Sequence, residues 1–261
     1  MTETLLADKT MLITGAGPGL GNECAVRALR DGASVVLVAR NQERLDEMAA
    51  ELDGPVLAVA ADVGDQAAVE AAVAAGKERF GRIDAVAHVA AVSPLGSFDE
   101  TDDDAWRQAF EVNVLGTVHV VRAVAPAMAE QGGGSIVLIG SQASLRPVAS
   151  APQGAYGSSK MALLSAARDM AEDLGPRGIR VNTVVPTWMW GPMVEIYCKW
   201  QAGERGMTPE EIKTEIEGTM ALREMPTDGD VAEAVMFFAS DRARMITGQR
   251  LLVNAGEFYP D

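Results

Sequence analysis

The stretch MLITGAGPGLGNECAVRALR, residues 11–30, decides the fold class of this chain. The apolar run MLIT predicts a short strand, and the residues that follow the glycines predict a helix ending near Arg30. The turn between them, TGAGPGLG, has glycine at every second position: Gly15, Gly17, Gly19 and Gly21. Glycine lets a backbone approach a pyrophosphate closely, and a helix N-terminus supplies free amides and a positive dipole. This strand–turn–helix unit therefore predicts a dinucleotide site, with a tight turn of incidental glycines as the alternative.

The spacing of these glycines is informative. The G-x-G-x-x-G pattern of many dinucleotide-binding folds would require glycine at position 20, where this chain has Leu20. The pattern that fits is Gly15-x-x-x-Gly19-x-Gly21, placed between a strand and a helix. We therefore expect Gly15, Gly19, Leu20 and Gly21 to form the phosphate-binding turn.

The rest of the chain repeats the same alternation of apolar strands and helices. Further strands are predicted at 34–39, 55–61, 84–91, 134–140, 179–185 and 250–253. Helices are predicted at 42–52, 65–80, 102–131, around Tyr156, and at 230–240. Apolar strands that alternate with helices imply a parallel sheet covered on both faces. We predict one α/β domain over residues 1–261, a doubly wound (Rossmann-like) parallel sheet of about seven strands with helices on both faces.

Composition excludes several classes of function. The net charge of −15 opposes binding to nucleic-acid phosphates, which requires basic patches. No apolar run approaches the roughly 18 residues expected of a membrane span, and the acidic start does not resemble a secretory signal. The two cysteines, Cys24 and Cys198, belong to no CxxC motif, so we expect neither a disulfide framework nor a metal site. These features predict a cytoplasmic protein that binds no membrane and no nucleic acid.

Tyr156 and Lys160 form a candidate pair for proton transfer in AYGSSKMALL. Residues at i and i+4 share one face of a helix, and a nearby ammonium lowers the pKa of a phenol. A tyrosine adjusted in this way can give or take a proton near neutral pH. Such pairs are common on helices that have no catalytic role, so the spacing alone is weak evidence for catalysis.

The glycine turn, the strand rhythm, Ser141 and the YGSSK motif together resemble the short-chain dehydrogenase/reductase family over nearly the whole chain. The resemblance implies that Tyr156 is the general acid/base and that Lys160 lowers its pKa and holds the nicotinamide ribose. It implies that Ser141 hydrogen-bonds the substrate oxygen and that Asn113 holds a water in a proton relay behind Lys160. It also implies a homo-oligomer, a dimer or tetramer.

Some of these assignments have competitors. Ser144 is a rival to Ser141, although Ser141 directly follows a strand, where open α/β sheets bind their ligands. Asn113 could be an ordinary polar residue within a helix, and Asp62 could cap the helix that starts near Asp65. His88 and His119 have no neighbours in sequence that suggest a triad or a metal site, and we interpret both as structural.

The resemblance also implies a set of residues that contact the cofactor. Asp62 and Val63 would meet the adenine. The full candidate set comprises Gly15, Gly19, Leu20, Gly21, Arg40, Asp62, Val63, Ala90, Tyr156, Lys160, Pro186 and Met189.

The end of the second predicted strand indicates which cofactor is used. Enzymes that use NAD commonly place an acid there for the ribose 2′-hydroxyl. This chain has Ala39 followed by Arg40, which leaves room and positive charge for a 2′-phosphate. Arg40 could instead point into solvent, and Pro18 occupies a turn position where NADP-binding relatives often carry a basic residue. We predict NADP(H) as the preferred cofactor, with NAD(H) possible.

The chain departs from the family pattern at four places. His88-Val89-Ala90-Ala91 stands where relatives have Asn-Asn-Ala-Gly, and Thr187 follows Pro186 where relatives have glycine. Gly191 aligns with a threonine that often holds the nicotinamide amide, and Asn254 replaces an aspartate. These changes leave the proton-transfer residues intact.

Residues 187–226 are predicted to form a lid over the substrate. Three of the four tryptophans lie there, and the aromatic group comprises Trp188, Trp190, Tyr197 and Trp200. With Met189 and Met193 they suit an apolar pocket in which Trp188 and Trp190 contact the substrate. Packing between lid and sheet, or a subunit interface, is an equal alternative. Within this segment, Thr208 followed by proline and two acids predicts a helix start.

The combined prediction is an oxidoreductase. It would pass hydride between NADP(H) and an alcohol or ketone, with an apolar or cyclic substrate preferred. One alternative is a dinucleotide-binding redox sensor without turnover, which would not need Ser141, Tyr156 and Lys160 together. A second alternative is an epimerase or dehydratase that keeps its cofactor bound throughout turnover.

Overall fold

Seven parallel strands form one sheet in the computed structural model, which describes residues 4–148 and 151–259. The strands are β1 (Thr10–Thr14), β2 (Ser34–Ala39), β3 (Val56–Ala60), β4 (Ala85–His88), β5 (Gly134–Ile139), β6 (Ile179–Pro186) and β7 (Arg250–Val253). Their order across the sheet is β3-β2-β1-β4-β5-β6-β7. The predicted doubly wound parallel sheet is confirmed.

This order places the switch point of the sheet between β1 and β4. Strand β1 pairs with β2 on one side and with β4 on the other, and Thr14 lies opposite His88 at the carboxyl end. Chains leaving β1 and β4 turn in opposite directions, which opens a crevice where such folds bind ligands. The glycine turn that follows Thr14 lies at this crevice.

Helices cover both faces of the sheet. They are α1 (Leu20–Arg30), α2 (Gln42–Glu51), α3 (Gln66–Phe80), α4 (Asp103–Phe110), α5 (Gly116–Glu130), α6 (Gly154–Leu174), α7 (Pro192–Arg205), α8 (Pro209–Gly218) and α9 (Asp228–Ala239). Helices α1 and α9 contribute Cys24, Ala28, Val231 and Val235 to the core on one face. Helices α3, α5 and α6 form the core on the other face.

Two helix starts can be checked against the sequence. A capping box between Thr208 and Glu211 begins α8, as predicted. The Asp65 carboxylate caps α3 by accepting from the backbone amides of residues 67 and 68. The alternative role of Asp62 as that cap is wrong, because its carboxylate accepts from Gly64 N at 2.9 Å.

Two predicted elements differ in extent. Strand β4 ends at His88 rather than at residue 91, because the Val89 and Ala90 amides both turn to Thr14 O, at 3.0 and 3.1 Å. The helix predicted over 102–131 is interrupted between α4 and α5 by a π-helical turn, Glu111–Leu115. This helical run, Asp103–Glu130, is long and apolar enough to span a membrane by length and composition, but half of its most apolar window is buried inside the protein.

Candidate active site

The turn after β1 is constrained at two of its glycines. Gly15 has φ +72°, and a Cβ built there would lie 2.4 Å from Ala90 N. A Cβ on Gly21 would lie 2.5 Å from Gly15 O, whereas one on Gly17 would meet nothing within 4 Å. Gly19 precedes the first residue of α1 with φ +90°, and Leu20 anchors that helix in the core. The turn therefore lies directly against the chain leaving β4.

A cavity of about 260 Å³ opens beside this turn. Five of the candidate cofactor residues line it: Gly15, Arg40, Asp62, Val63 and Ala90. The close-packed glycines, the free helix N-terminus and this crevice fit the adenosine and phosphates of a dinucleotide.

A second cavity, of about 570 Å³, continues from the first past Arg40. Arg40 is exposed and has no ion-pair partner among the described residues, and Arg44 lines the same cavity. Sequence reasoning missed Arg44, which lies in the first turn of α2, where Asn41 caps its amide at 3.1 Å. Two cations, with Glu47 and Glu51 in the same lining, therefore border the region where a ribose 2′-phosphate would lie.

Ser141 and Tyr156 meet at the carboxyl end of β5. The Ser141 hydroxyl lies close enough to the Tyr156 phenol to oppose a rise in its pKa, and Ser141 is buried while Tyr156 is half-buried. The rival Ser144 donates its hydroxyl to Ser141 O at 2.6 Å, so its donor is already used. The geometry favours Ser141 as the hydroxyl that works with Tyr156.

Lys160 lies one helical turn beyond Tyr156 and is 2% exposed. Its Nζ donates to Ile139 O at 2.7 Å and lies 5.8 Å from the centroid of the Tyr156 ring. The backbone carbonyl at the end of β5 thus fixes the ammonium behind the phenol.

The expected lowering of the Tyr156 pKa is not found in this structure. Burial raises the pKa of Tyr156, and the nearby Ser141 hydroxyl only partly opposes that rise. Burial also lowers the pKa of Lys160, to about 8. The expectation was wrong because it counted the attraction between the two groups and left out the cost of removing both from water.

Asn113 lies in the π-helical turn, and its side chain is fully engaged. Its Nδ2 donates to Val92 O and to Ser159 Oγ, both at 2.9 Å, and its Oδ1 accepts from Val92 N at 2.8 Å. The side chain therefore ties α6 to the chain that follows β4. These bonds show that Asn113 is not an ordinary polar residue within a helix. Its role in a proton relay stays a prediction.

The two histidines make structural contacts. His88 Nδ1 bonds Thr14 Oγ1 at 2.7 Å across the β1–β4 pair, and His119 Nδ1 bonds Val63 O at 2.9 Å. Burial and the charge of Lys160 lower the pKa of His88 to about 3, so its ring is neutral. Within the described residues, no group of histidine, cysteine and acidic side chains could hold a metal ion.

Comparison with known proteins shows which family this chain belongs to. A family model described as enoyl-(acyl carrier protein) reductase matches residues 15–257. The chain belongs to the short-chain dehydrogenase/reductase family. It is 35% identical to D-threitol dehydrogenase of Mycolicibacterium smegmatis over 96% of this chain and 93% of that one. It is 32% identical to human dehydrogenase/reductase SDR family member 4, over 96% of this chain and 88% of that one.

Solved structures extend the likeness to the fold. The crystal structure of levodione reductase matches with a TM-score of 0.88 and 30% identity, covering 97% of this chain and 98% of that one. This short-chain dehydrogenase/reductase is therefore an enzyme of the oxidoreductase class. Its family uses nicotinamide dinucleotides on small molecules.

In this short-chain dehydrogenase/reductase the aromatic side chains of the lid segment pack mainly against one another. The rings of Trp188 and Tyr197 lie 4.8 Å apart, and those of Tyr197 and Trp200 lie 6.0 Å apart. Lys213 Nζ lies 4.5 Å from the centroid of the Trp190 ring. Trp190 also packs on a small core that α7 and α8 share, formed by Cys198, Ala202 and Ile212. These contacts favour packing over substrate contact for Trp190.

The remaining cofactor candidates lie near the end of β6. Pro186 is the last residue of that strand, and Met189 packs against the core beside α1 and α9. Gly191 follows, and a Cβ there would lie 2.4 Å from a carboxylate oxygen of Asp228. A side chain at position 191 would therefore require the Asp228 carboxylate, the far end of a flexible side chain, to shift.

Asp228 is a residue that sequence reasoning missed. It begins α9, and a Cβ built on Gly19 would lie 3.1 Å from its carboxylate. Burial and the charge of Glu23 raise the pKa of Asp228. The carboxylate therefore faces the expected phosphate turn, and only the packing of α9 against α1 brings it there. No motif in the sequence signals that contact.

Proposed function

We propose that this enzyme transfers hydride between NADP(H) and an alcohol or ketone. The observation that carries the proposal is the position of the Ser141 hydroxyl near the Tyr156 phenol, with the Lys160 ammonium held on Ile139 O behind them. This arrangement lies on the same edge of the sheet as the glycine turn. A substrate oxygen placed between the two hydroxyls would be next to the site of proton transfer.

Each residue has one task in the proposed reaction. The bound nicotinamide supplies or accepts the hydride. Tyr156 donates its proton to the carbonyl oxygen during reduction and accepts the alcohol proton during oxidation. Ser141 hydrogen-bonds the same oxygen and orients it. Lys160 places positive charge beside the phenol, where it would oppose the rise in the Tyr156 pKa that burial causes. Asn113 fixes the adjoining chain so that a water can connect Lys160 to solvent.

The preference for NADP(H) rests on charge. Arg40 and Arg44 border the cavity beyond Ala39, and the end of β2 offers no carboxylate to a ribose 2′-hydroxyl. Arginine binds phosphate through two donors, which a hydroxyl cannot match. NAD(H) stays possible as a weaker cofactor.

The substrate is proposed to be small, neutral and largely apolar or cyclic. Trp188 follows β6 by two residues and is the aromatic side chain we propose to face it, because Trp190 is engaged with Lys213. Residues 187–226 are proposed to act as the lid. The two cysteines outside any CxxC motif support a cytoplasmic protein, and the family resemblance supports a homo-oligomer, a dimer or tetramer, as further proposals.

The test is a panel of secondary alcohols and ketones followed by NADPH absorbance, with Tyr156→Phe beside the parent enzyme. Losing the phenolic proton should lower kcat by about 10²–10⁴-fold and leave the Kd for NADPH nearly unchanged. Tyr259→Phe, at an exposed tyrosine, is the matched control and should behave like the parent. Near-normal turnover by Tyr156→Phe would contradict the proposed chemistry.

A further inference from the structure

A polar cavity lies at the amino ends of the strands, on the opposite edge of the sheet from the glycine turn and Ser141. Its volume is about 580 Å³, and the segments that precede β1, β4, β5, β6 and β7 all contribute to its lining. Four basic and two acidic side chains line it, a local excess of positive charge in a chain whose net charge is −15. They are Lys9, Arg82, Arg180, Arg244, Asp84 and Asp241. The proposed reaction makes no use of this concentration of cations.

The two carboxylates are bonded to two of the cations but do not use all of their donors. Asp84 is buried, and its two oxygens accept from Arg82 Nε at 2.7 Å and from Arg82 Nη2 at 2.5 Å. Asp241 Oδ1 accepts from Lys9 Nζ at 2.7 Å. An ammonium has three hydrogens and a guanidinium has five. Lys9 and Arg82 therefore each keep donors for a ligand.

The other two cations have no carboxylate within ion-pair distance among the described residues. Arg244 is exposed, and its side chain makes no hydrogen bond in the same part of the chain. Arg180 is half-buried, and its Nη2 donates to Phe238 O at 2.8 Å and to Ser240 O at 3.1 Å. Burial lowers the pKa of Arg180, and the charge of Asp241 opposes that change. An anion in the cavity would offset the cost of burying this charge without a counterion.

Hydrogen bonds join the three cations that have free donors into one group. The ion pair between Lys9 and Asp241 connects β1 to the turn that carries Arg244, whose amide donates to Asp241 O at 3.1 Å. On the other side, the backbone amide that follows Lys9 donates at 2.9 Å to Asp84, the same carboxylate that holds Arg82. Lys9 therefore lies between the two arginines, and the three cations come from three separate segments.

Glycines form the part of the lining where β5 and β6 begin. A Cβ on Gly133 would lie 2.4 Å from Gly178 O, so two bare backbone turns lie directly against each other there. A Cβ on Gly175 would meet nothing within 4 Å, and its φ of −51° suits any residue. This part of the cavity is therefore open, and position 175 accepts a side chain without a clash.

We propose that Lys9, Arg82 and Arg244 bind a small, freely diffusing molecule that carries phosphate, with the charge of Arg180 adding to the attraction. Donors on three separate segments suit a tetrahedral oxyanion, whose oxygens point in different directions, better than a planar carboxylate. The net charge of −15 opposes binding to the phosphates of a membrane or a nucleic acid, which favours a small phosphate compound. This site is separate from the expected dinucleotide site and does not depend on the proposed reaction.

The experiment is a calorimetric titration with sodium pyrophosphate at constant ionic strength. Saturating NADPH or NADH is present throughout, because the glycine turn would also attract pyrophosphate. Arg244→Gln removes a cation whose side chain holds no other described residue, so the fold should stay intact. Arg168→Gln, at an exposed arginine of α6 outside the cavity, is the matched control. A titration with acetate tests whether any anion is accepted.

The parent and Arg168→Gln should each bind one pyrophosphate per chain. Arg244→Gln should bind it about tenfold or more weakly, as follows from losing one charged hydrogen bond. Acetate should bind to the parent at least about tenfold more weakly than pyrophosphate, because it cannot reach all three cations. No binding by the parent, equal binding of acetate, or equal weakening in Arg244→Gln and Arg168→Gln would overturn the inference.

Gly175→Glu and Gly175→Gln give a second test that leaves all four cations in place. The two new side chains have nearly the same size, and only glutamate brings a negative charge into the cavity. Gly175→Glu should bind pyrophosphate about tenfold or more weakly than Gly175→Gln, because like charges repel within a binding site. Equal affinity in the two variants would also overturn the inference. Neither test measures turnover, so both leave the oxidoreductase assignment untouched.

Discussion

The turn after β1 and the segments after β5, β6 and β7 share one edge of the sheet, but different contacts hold them in place. In the turn, backbone lies against backbone, and Cβ atoms at Gly15 or Gly21 would come within 2.4–2.5 Å of main-chain atoms. In the segments after β5, β6 and β7, side chains make the links, through the ion pair of Arg146 and Glu257 and the packed rings of Trp188 and Tyr197. A backbone constraint allows only glycine and is visible in the sequence, whereas a side-chain network can be built in many ways.

Gly21→Ala should break the turn and is the largest effect we expect. Its Cβ would lie 2.5 Å from Gly15 O, so the turn must shift and its amides must leave the phosphates. We expect the Kd for NADPH, measured by calorimetry, to rise by about 100-fold or more, the range that loss of several charge-assisted hydrogen bonds implies. Gly17→Ala, where a Cβ meets nothing within 4 Å, is the control and should bind normally. Equal binding by both variants would show that the turn is less constrained than its contacts indicate.

The same contrast explains what could be predicted from the sequence. The doubly wound parallel sheet and the glycine turn follow from local motifs, and the pairing of Ser141 with Tyr156 follows from the family resemblance. The order of the strands was not predicted. The direction in which the Tyr156 pKa shifts could not be predicted, because the burial of Tyr156 depends on how α6 packs. Glu257 and Asp228 are also invisible in the sequence, since only tertiary contacts bring them to the site.

The burial of Lys160, at the same edge of the sheet as the glycine turn, allows a test of stability as well as of activity. Its pKa of about 8, against an ordinary value of 10.5, means that folding disfavours the charged form by roughly 3 kcal/mol. Between pH 8 and 10.5 the unfolded chain binds more protons at this group than the folded chain, so its contribution to stability rises with pH across that window. Below pH 8 the whole penalty is present.

Lys160→Met should therefore stabilise the protein without cofactor while removing activity. At pH 7 we expect the free energy of unfolding to rise by up to roughly 3 kcal/mol, and the gain should shrink between pH 8 and 10.5. Urea unfolding at several pH values measures this. Lys199→Met, at an exposed lysine, should show no such pH-dependent gain. A destabilised Lys160→Met would mean that the bond to Ile139 O outweighs the cost of burying the charge.

Arg40→Asp tests whether side chains determine which dinucleotide binds in the cofactor region. Reversing the charge beside the expected 2′-phosphate should raise the Kd for NADPH by about 10–150-fold and that for NADH by much less, because charged hydrogen bonds contribute about 1.5–3 kcal/mol. Arg44→Asp should have a smaller effect in the same direction. Arg177→Asp, an exposed residue just before β6 at the opposite edge of the sheet, is the control. A parent enzyme that prefers NADH would show that Arg40 is only a solvated residue.

Trp190→Ala should have the smallest effect on chemistry, and it separates packing from substrate contact within the lid. Trp190 packs beside Lys213 and on the core of Cys198, Ala202 and Ile212. Losing these contacts should destabilise the protein by about 2 kcal/mol, or roughly 5 °C in Tm for a chain of this size, with KM unchanged. Trp188→Ala should instead raise KM for a ring ketone, since Trp188 is the aromatic side chain proposed to face the substrate. Thermal melts and steady-state kinetics on both variants test this. A raised KM in Trp190→Ala with an unchanged Tm would show that Trp190 contacts the substrate, and the interpretation of this ring as packing would be wrong.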